Sequence, residues 1–544
     1  MPTLLPRPAS QTTSPGEFVL TADATLSAHP DLVQPALRLQ ERLRAATGFV
    51  LPLNVSDTGS DVTASIRLGL DPTLAVEAFE LETTPGSVHL MASSERGGHW
   101  GVQALLQLFP AAVYRRSAVA TGAWTTPVTH VQDAPKFPWR GAMLDVVRHF
   151  APTRDVLRFI DLLAMHRLNT LHLHLTDDQG WRVEIARYPR LTEVGGWRPE
   201  TQVGAAHGSA TDGRPHGGFY TQDDIREIVA YAGARGITVV PEIELPGHAQ
   251  AAVAAYPELG VGDSAPTTPW TLWGINPVIF NVEESTIRFL SDVLDEIVDL
   301  FPSEYICIGG DECPKIQWIE DERTQDRMRE LGVHDEEELQ SWFVSRIGQH
   351  LASRGRKLLG WDEILEGGLA DGATVLSWRG KVGAVTAARS GHDVVACPED
   401  TVYLDYRESD LDSEPIPTGT VTTVEKAYSF DPVPAELDAD EARHVLGGQA
   451  NLWTEHIDSM RGLDYRAFPR LSAVAEALWS SGDRDYSEFA PRLTEHLARL
   501  DAAGVEYRPA DGPRPWHERP GVSGRTRSAE ESAAHLAKIT ANIG

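Results

Sequence analysis

The chain has little that would tie it to an oxidising compartment, a membrane or a polyanion. Its 544 residues hold only three cysteines, Cys307, Cys313 and Cys397, an odd and sparse set that makes no disulfide framework. No apolar run approaches the length of a membrane span. The opening segment, MPTLLPRPASQTTSPG, carries one basic residue and no apolar core, so it does not read as a secretory signal and a cytoplasmic location is expected. Basic residues are the minority: 48 Lys and Arg stand against 78 Asp and Glu, a net charge of -30, which repels nucleic acid and anionic lipid. Phosphate loops and dinucleotide fingerprints are absent too, so no cofactor is expected.

What is present points to a large buried core. The hydrophobic content of 42% and charged content of 23% are those of a globular protein, and the length suits two domains with extensions. The Pro/Ser/Thr-rich residues 1–16 read as a flexible leader. Over residues 17–135, β-type runs such as FVLTADATL alternate with helical ones such as LVQPALRLQERLRAATG, which predicts a small α+β domain. From Pro138 the pattern changes to eight short β-rich runs separated by helical stretches: GAMLDVV, TLHLHL, ITVVPEI, YICIGG, KLLGW, TVLSW, DVVAC and HVLGGQA. Eight strand-helix units predict a (β/α)8 TIM barrel over residues 136–507. Thr221 followed by Asp224 forms a helix-starting pair. Residues 508–544 read as a Pro/Arg/Gly-rich extension, packed outside or loose. Long polar stretches near 203–218, 260–271 and 407–418 follow strands two, three and seven.

In such a barrel the active site lies at the C-terminal ends of the strands, so the polar residue ending each run is informative. Strand one ends in Arg148, strand two in Asp177 and Asp178, strand three in Glu244 and His248, and strand four in Asp311 and Glu312. Strand five gives Trp361 and Asp362, strand six Trp378, strand seven leads to Tyr403 and Asp405, and strand eight gives Trp453 and Glu455. Any one of these acids could cap a helix and any one Trp could fill core; their recurrence at strand after strand is what points to a sugar site. Aromatic faces stack on C–H faces, while carboxylates and Arg bind hydroxyls. The sharpest motif is IGGDE (308–312), where two glycines let the backbone turn tightly beside adjacent acids. On an extended strand Asp311 and Glu312 would point opposite ways and so take different jobs.

Eight ordered motifs carry a resemblance: RGAMLDVVRHF, HLHLTDDQGWR, PEIELPGH, IGGDE, GWDEIL, SWRG, YLDY and GGQANLWTEHI. Over residues 17 to 507 the chain resembles glycoside hydrolase family 20, the β-N-acetylhexosaminidases. The resemblance implies a retaining exo-enzyme for terminal β-linked GlcNAc or GalNAc, in which the substrate's own acetamido group is the nucleophile. Glu312 then resembles the general acid/base, Asp311 the residue that polarises the acetamido N–H, and Tyr403 the one that holds its carbonyl. Trp361, Trp378 and Trp453 resemble the box around its methyl. Arg148, Asp405 and Glu455 resemble the hydroxyl-binding residues, with Asp177 and His248 behind Glu312. The implied partner is an amino-sugar oligosaccharide or glycoconjugate, with no metal. Two positions depart from the family pattern: Glu244 stands where Asp is usual, and Cys307 where His is common.

Two other readings compete. His172-x-His174 places two imidazoles on one side of a strand, as a metal-dependent hydrolase would, yet no further His or Lys ends strands four to six. A non-catalytic sugar-binding protein could keep the same barrel, yet would have no use for an acid/base pair.

Overall fold

The computed structural model describes residues 3–56, 63–119, 122–206 and 208–543. The eight expected runs close into one barrel. In chain order its strands are Trp139–Asp145, Thr170–His174, Thr238–Glu242, Tyr305–Cys307, Lys357–Trp361, Thr374–Ser377, Val394–Ala396 and Val445–Leu452, and every neighbouring pair is parallel. All residues of the first two strands are buried, as strands covered on both faces require. The helix Gln222–Gly233 starts at the expected capping box, with Thr221 and Asp224 each accepting from the other's backbone.

Ahead of the barrel stands a seven-stranded sheet ordered Ser10–Leu20, Trp124–Asp133, Phe79–Thr83, Val88–Ala92, Ile66–Leu70, Leu26–Ala28, Leu53–Val55. Helices Val33–Thr47 and Glu95–Leu108 pack on it. The sheet corrects the expectation of a flexible leader over 1–16, of which residues 1 and 2 lie outside the described residues. Ser10–Leu20 is an edge strand paired antiparallel with Trp124–Asp133, with a register shift between Ser14 and Glu17. Its Ser and Thr side chains face solvent, and Pro15 falls at the bulge, where a strand tolerates it. Leu4 and Leu5 are buried; the Leu5 amide donates to Gln107 Oε1 at 2.8 Å and Gln107 Nε2 returns a bond to the Leu5 carbonyl at 2.7 Å.

Buried ion pairs join this sheet domain to the barrel. Arg140 on strand one holds Glu77 at 2.7 Å, and Trp100 donates to the same carboxylate at 2.9 Å. Arg167 holds Asp133 at 2.8 Å, with the Trp479 indole at 2.9 Å. A cavity of about 310 Å³ also lies at this junction, lined by Arg42, Tyr114, Asp161 and Arg235 among others, away from the strand ends.

The C-terminal extension is seated on the loops of the barrel mouth. Arg525–Thr526 pairs in parallel with Thr418–Gly419, and Ala529–Ile539 forms a helix behind a Ser528/Glu531 capping box. Among the described residues no helix is long and apolar enough to cross a membrane.

Candidate active site

Strand four ends at Cys307, and the chain then coils. Gly309 and Gly310 take φ of 66° and 92°, and Glu312 takes 43°, a left-handed value that costs a non-glycine residue on the order of 1–3 kcal/mol. Gly309 has a second reason to lack a side chain: a Cβ there would lie 1.7 Å from Glu244 Oε2. Because the backbone has left the extended conformation, Asp311 and Glu312 do not point opposite ways as expected. His248 Nε2 stands 3.7 Å from a carboxylate oxygen of each. What distinguishes the two is exposure, the Asp311 side chain being 11% exposed and that of Glu312 34%. His248 itself has a φ of 48°.

Behind this pair runs a chain of charges. His248 Nδ1 lies 3.0 Å from Asp178 and 3.2 Å from Asp177. Asp177 also receives Arg148 at 2.7 Å and His174 at 2.9 Å. Burial alone would push the Asp177 carboxyl up, but Arg148 and then His248 hold it well below the usual carboxylate range. Burial likewise disfavours the imidazolium of His248, and Asp177 and Asp178 more than reverse this, which favours its protonated form. At the pocket end, burial pushes Asp311 up to about 7 although His248 opposes it. Burial also raises Glu312, against the pull of His248 and Arg148. One buried cation thus faces two carboxyls, and both are easier to protonate than ordinary ones.

Arg148 is held on three sides: by Asp177, by Asp145 at 3.2 Å and by the Gln179 side-chain Oε1 at 2.9 Å. Three of its five N–H donors are engaged this way, leaving two for a ligand, and its plane lies over Trp453 at 4.9 Å. From Trp453 an aromatic wall continues to Trp361 at 5.9 Å and Tyr403 at 6.4 Å, and Tyr403 stacks on Trp378 at 6.1 Å. The indoles are pinned from behind: Trp361 donates to Glu242 at 2.8 Å and Trp378 to Glu363 at 2.9 Å. Asp405 has a buried Oδ1 with no partner, and burial followed by the field of Glu455 lifts its carboxyl to about 8. Glu455 is raised by burial, with Arg148 opposing. The eleven residues expected at the site, Arg148, Asp177, His248, Asp311, Glu312, Trp361, Trp378, Tyr403, Asp405, Trp453 and Glu455, are therefore brought together. Asp362 is not: it turns outward to Arg379 at 2.7 Å.

Sequence reasoning passed over Glu242, Asp145 and Gln179. Glu242 is a hub inside the barrel, with His174 at 2.5 Å, His172 at 3.1 Å, Cys307 Sγ at 3.3 Å and Trp361 at 2.8 Å. Cys307 thus supports strand four as a donor to a carboxylate. Glu244 has neither oxygen bonded, and burial with Asp311 and Glu242 nearby raises its carboxyl well above the usual range. His172, Glu242 and Cys307 bring ligand atoms within 4.8 Å of one another, as do His174, Asp177 and Glu244. In His174, however, burial is outweighed by Glu242 and Asp177, and the imidazole rises to about 10. Both of its ring nitrogens already face carboxylates, Nδ1 that of Glu242 and Nε2 that of Asp177.

Residues 137–482 match the catalytic domain of glycosyl hydrolase family 20 and residues 1–134 its domain 2. The chain belongs to this family. Among family 20 relatives, the β-hexosaminidase of Porphyromonas gingivalis is 42% identical over 93% of the chain, which spans 64% of that longer protein. The solved exo-β-N-acetylglucosaminidase of Vibrio harveyi, in complex with N-acetylglucosamine, is 35% identical and superposes with a TM-score of 0.80, covering 93% of this chain and 78% of that one. The β-N-acetylhexosaminidase of Streptomyces coelicolor A3(2) is 32% identical with a TM-score of 0.79, over 96% and 98% of the two chains. Family 20 membership agrees with the TIM barrel and its preceding domain of strands and helices.

Proposed function

We propose that the protein is a retaining exo-β-N-acetylhexosaminidase that removes terminal β-linked GlcNAc or GalNAc with the substrate's acetamido oxygen as nucleophile. One observation carries the reading: Glu312 and Asp311 share His248 but differ in exposure, beside a wall of Trp361, Trp453, Tyr403 and Trp378. Glu312, partly exposed and raised by burial, is suited to hold a proton for the leaving oxygen. Asp311, buried with Oδ1 unpartnered, is suited to accept the acetamido N–H.

In the first step the acetamido carbonyl oxygen forms a bond to C1 as the C1–O bond to the leaving group breaks. That electron pair goes to the leaving oxygen, which takes the proton from Glu312. The Asp311 carboxylate stabilises the positive charge that spreads onto the ring nitrogen, and the Tyr403 hydroxyl holds the reacting oxygen. In the second step Glu312, now a carboxylate, takes a proton from water; the water oxygen bonds to C1 and the carbonyl oxygen departs with its electrons, restoring the acetamide. Two inversions give net retention. Trp361, Trp378 and Trp453 keep water off the intermediate and fix the attack angle. Arg148, Asp405 and Glu455 close the pocket on the terminal hydroxyls, which makes the action exo.

The test is a rate comparison between aryl β-GlcNAc and aryl β-glucoside. The glucoside, lacking the nucleophile, should be turned over slower by orders of magnitude; comparable rates would point to an enzymic carboxylate nucleophile. The sugar-binding alternative predicts no hydrolysis of either.

A further inference from the structure

Around the closed barrel, strands six, seven, eight, one and two are successive neighbours. Residues 519–540, beyond the stretch that matches the family's two domains, run along this half of the mouth. Arg519 forms an ion pair with Asp458, in the loop after strand eight. The Ser523 carbonyl accepts from Ala205, in the loop after strand two, at 2.8 Å. Arg525–Thr526 pairs with Thr418–Gly419 after strand seven, with Arg525 N donating to Pro417 O and Arg527 N to Gly419 O, each at 2.9 Å. The Ile539 carbonyl accepts from Arg379, after strand six, at 2.6 Å. Among the described residues, the hydrogen bonds and ion pairs of this strap reach these loops and not those after strands three, four and five. The girded half carries Arg148, Trp378, Tyr403, Asp405 and Glu455. The ungirded half carries the acid/base pair, where a leaving group would exit.

The contact with strand seven's loop is the closest to the pocket. Gly419, at φ 60°, lies so near Tyr406 that a Cβ would stand 2.4 Å from its ring, so the strap's partner strand is pressed onto that ring. The Tyr406 hydroxyl donates to Glu399, which Arg527 approaches at 3.4 Å. Tyr406 meets Tyr403 edge to face at 5.8 Å, and Thr418 Oγ1 donates to the Asp405 carbonyl at 3.2 Å. The segment from Tyr403 to Tyr406 is thus clamped from outside by a strand whose own partner is the strap.

We infer that the strap sets the position of Asp405 and Tyr403, and with it the discrimination among hydroxyls of the terminal sugar, with Arg527 as its positioning residue. This rests on the hexosaminidase reading above. Loosening the strap at Arg527 acts first on the Tyr403–Tyr406 segment, whereas Glu312 and His248 follow strands four and three, whose loops the strap's hydrogen bonds and ion pairs do not reach among the described residues.

The experiment measures kcat and KM for aryl β-GlcNAc and aryl β-GalNAc, epimers at the 4-hydroxyl, in the full chain and in Arg527→Ala, Arg527→Lys and Arg519→Ala. Arg527→Ala should raise KM and change the GlcNAc:GalNAc ratio of kcat/KM by at least ~3-fold, while the dependence of rate on leaving-group acidity stays as in the wild type. Arg527→Lys, which keeps a cation for Glu399, should recover most of the ratio. Both partners of the Arg519–Asp458 pair are more than 40% exposed, so Arg519→Ala keeps the fold and should shift the ratio the same way by less; it carries the test if Arg527→Ala does not fold. An active wild type whose ratio and KM are unmoved in the folded variants overturns the strap's role alone. A wild type inactive on both glycosides overturns the hexosaminidase reading instead.

Discussion

Buried carboxylates at the domain junction and at the barrel mouth make opposite use of the same burial. At the junction Glu77 has two arginines and an indole, Arg140, Arg96 and Trp100. Burial pushes it up, yet these partners bring it below the ordinary value. Asp133, with one arginine, one indole and two amides, is left by burial at about 6. At the mouth Asp405, with Oδ1 unpartnered, reaches about 8. The series teaches that burial is the constant and satisfaction the variable. The carboxylates of the junction find their partners within the chain; at the mouth Asp405 and Asp311 each keep a buried oxygen without one.

Breaking the junction should therefore cost stability and leave chemistry intact. Glu77→Ala leaves Arg140 buried and unpaired, which costs about 3–5 kcal/mol, read as a lower denaturant midpoint with kcat per folded molecule unchanged. A variant as stable as the parent would mean that the junction charges are not partnered in solution.

At the mouth the sign reverses. Arg148→Lys keeps the charge and loses the planar fork, so kcat/KM should fall by at least ~10-fold, about 1.4 kcal/mol of transition-state binding. Near-parental kinetics would remove Arg148 from the sugar site. A smaller effect concerns pH. The folded-state value of Asp405 lies above that of the unfolded chain, so the folded state binds the extra proton, and the contribution of Asp405 to stability is lost as pH rises from about 4 to about 8. Asp405→Asn removes that term, so its melting temperature relative to wild type should climb across the same window. A flat difference would show that Asp405 titrates normally.

How far the sequence reached follows from where the informative residues lie. All eight barrel strands were legible because each is a short run rich in apolar residues with polar or aromatic residues at its mouth end, as GAMLDVV has Arg148. The same habit of reading the ends of runs hid Glu242, which lies within the run ITVVPEI but is the last residue of strand three, beside His172 and His174 of the neighbouring strand two. The alternation His172-x-His174 shows two imidazoles on one side, but only the neighbouring strand supplies their carboxylate. The first part of the edge strand, residues 10–16, looked like a leader because its outward Ser and Thr carry no apolar period, and only its pairing to Trp124–Asp133 reveals it, whereas the following FVL was legible as β-type. The C-terminal strap was illegible for a related reason: a two-residue strand pairing across more than a hundred residues leaves no local signature.

Asp311 and Glu312, adjacent in sequence and both beside His248, are proposed to do different work. A leaving-group series on Glu312→Gln and Asp311→Asn, with and without azide, tests it most directly. Glu312→Gln should lose about 10²–10⁴-fold on substrates with poor leaving groups and far less on activated aryl glycosides. Azide, a nucleophile that needs no base, should restore part of its rate and yield the β-glycosyl azide. Asp311→Asn should slow every substrate regardless of leaving group and gain nothing from azide, because an amide cannot stabilise the positively charged intermediate. Azide rescue of Asp311→Asn and not of Glu312→Gln would contradict the account.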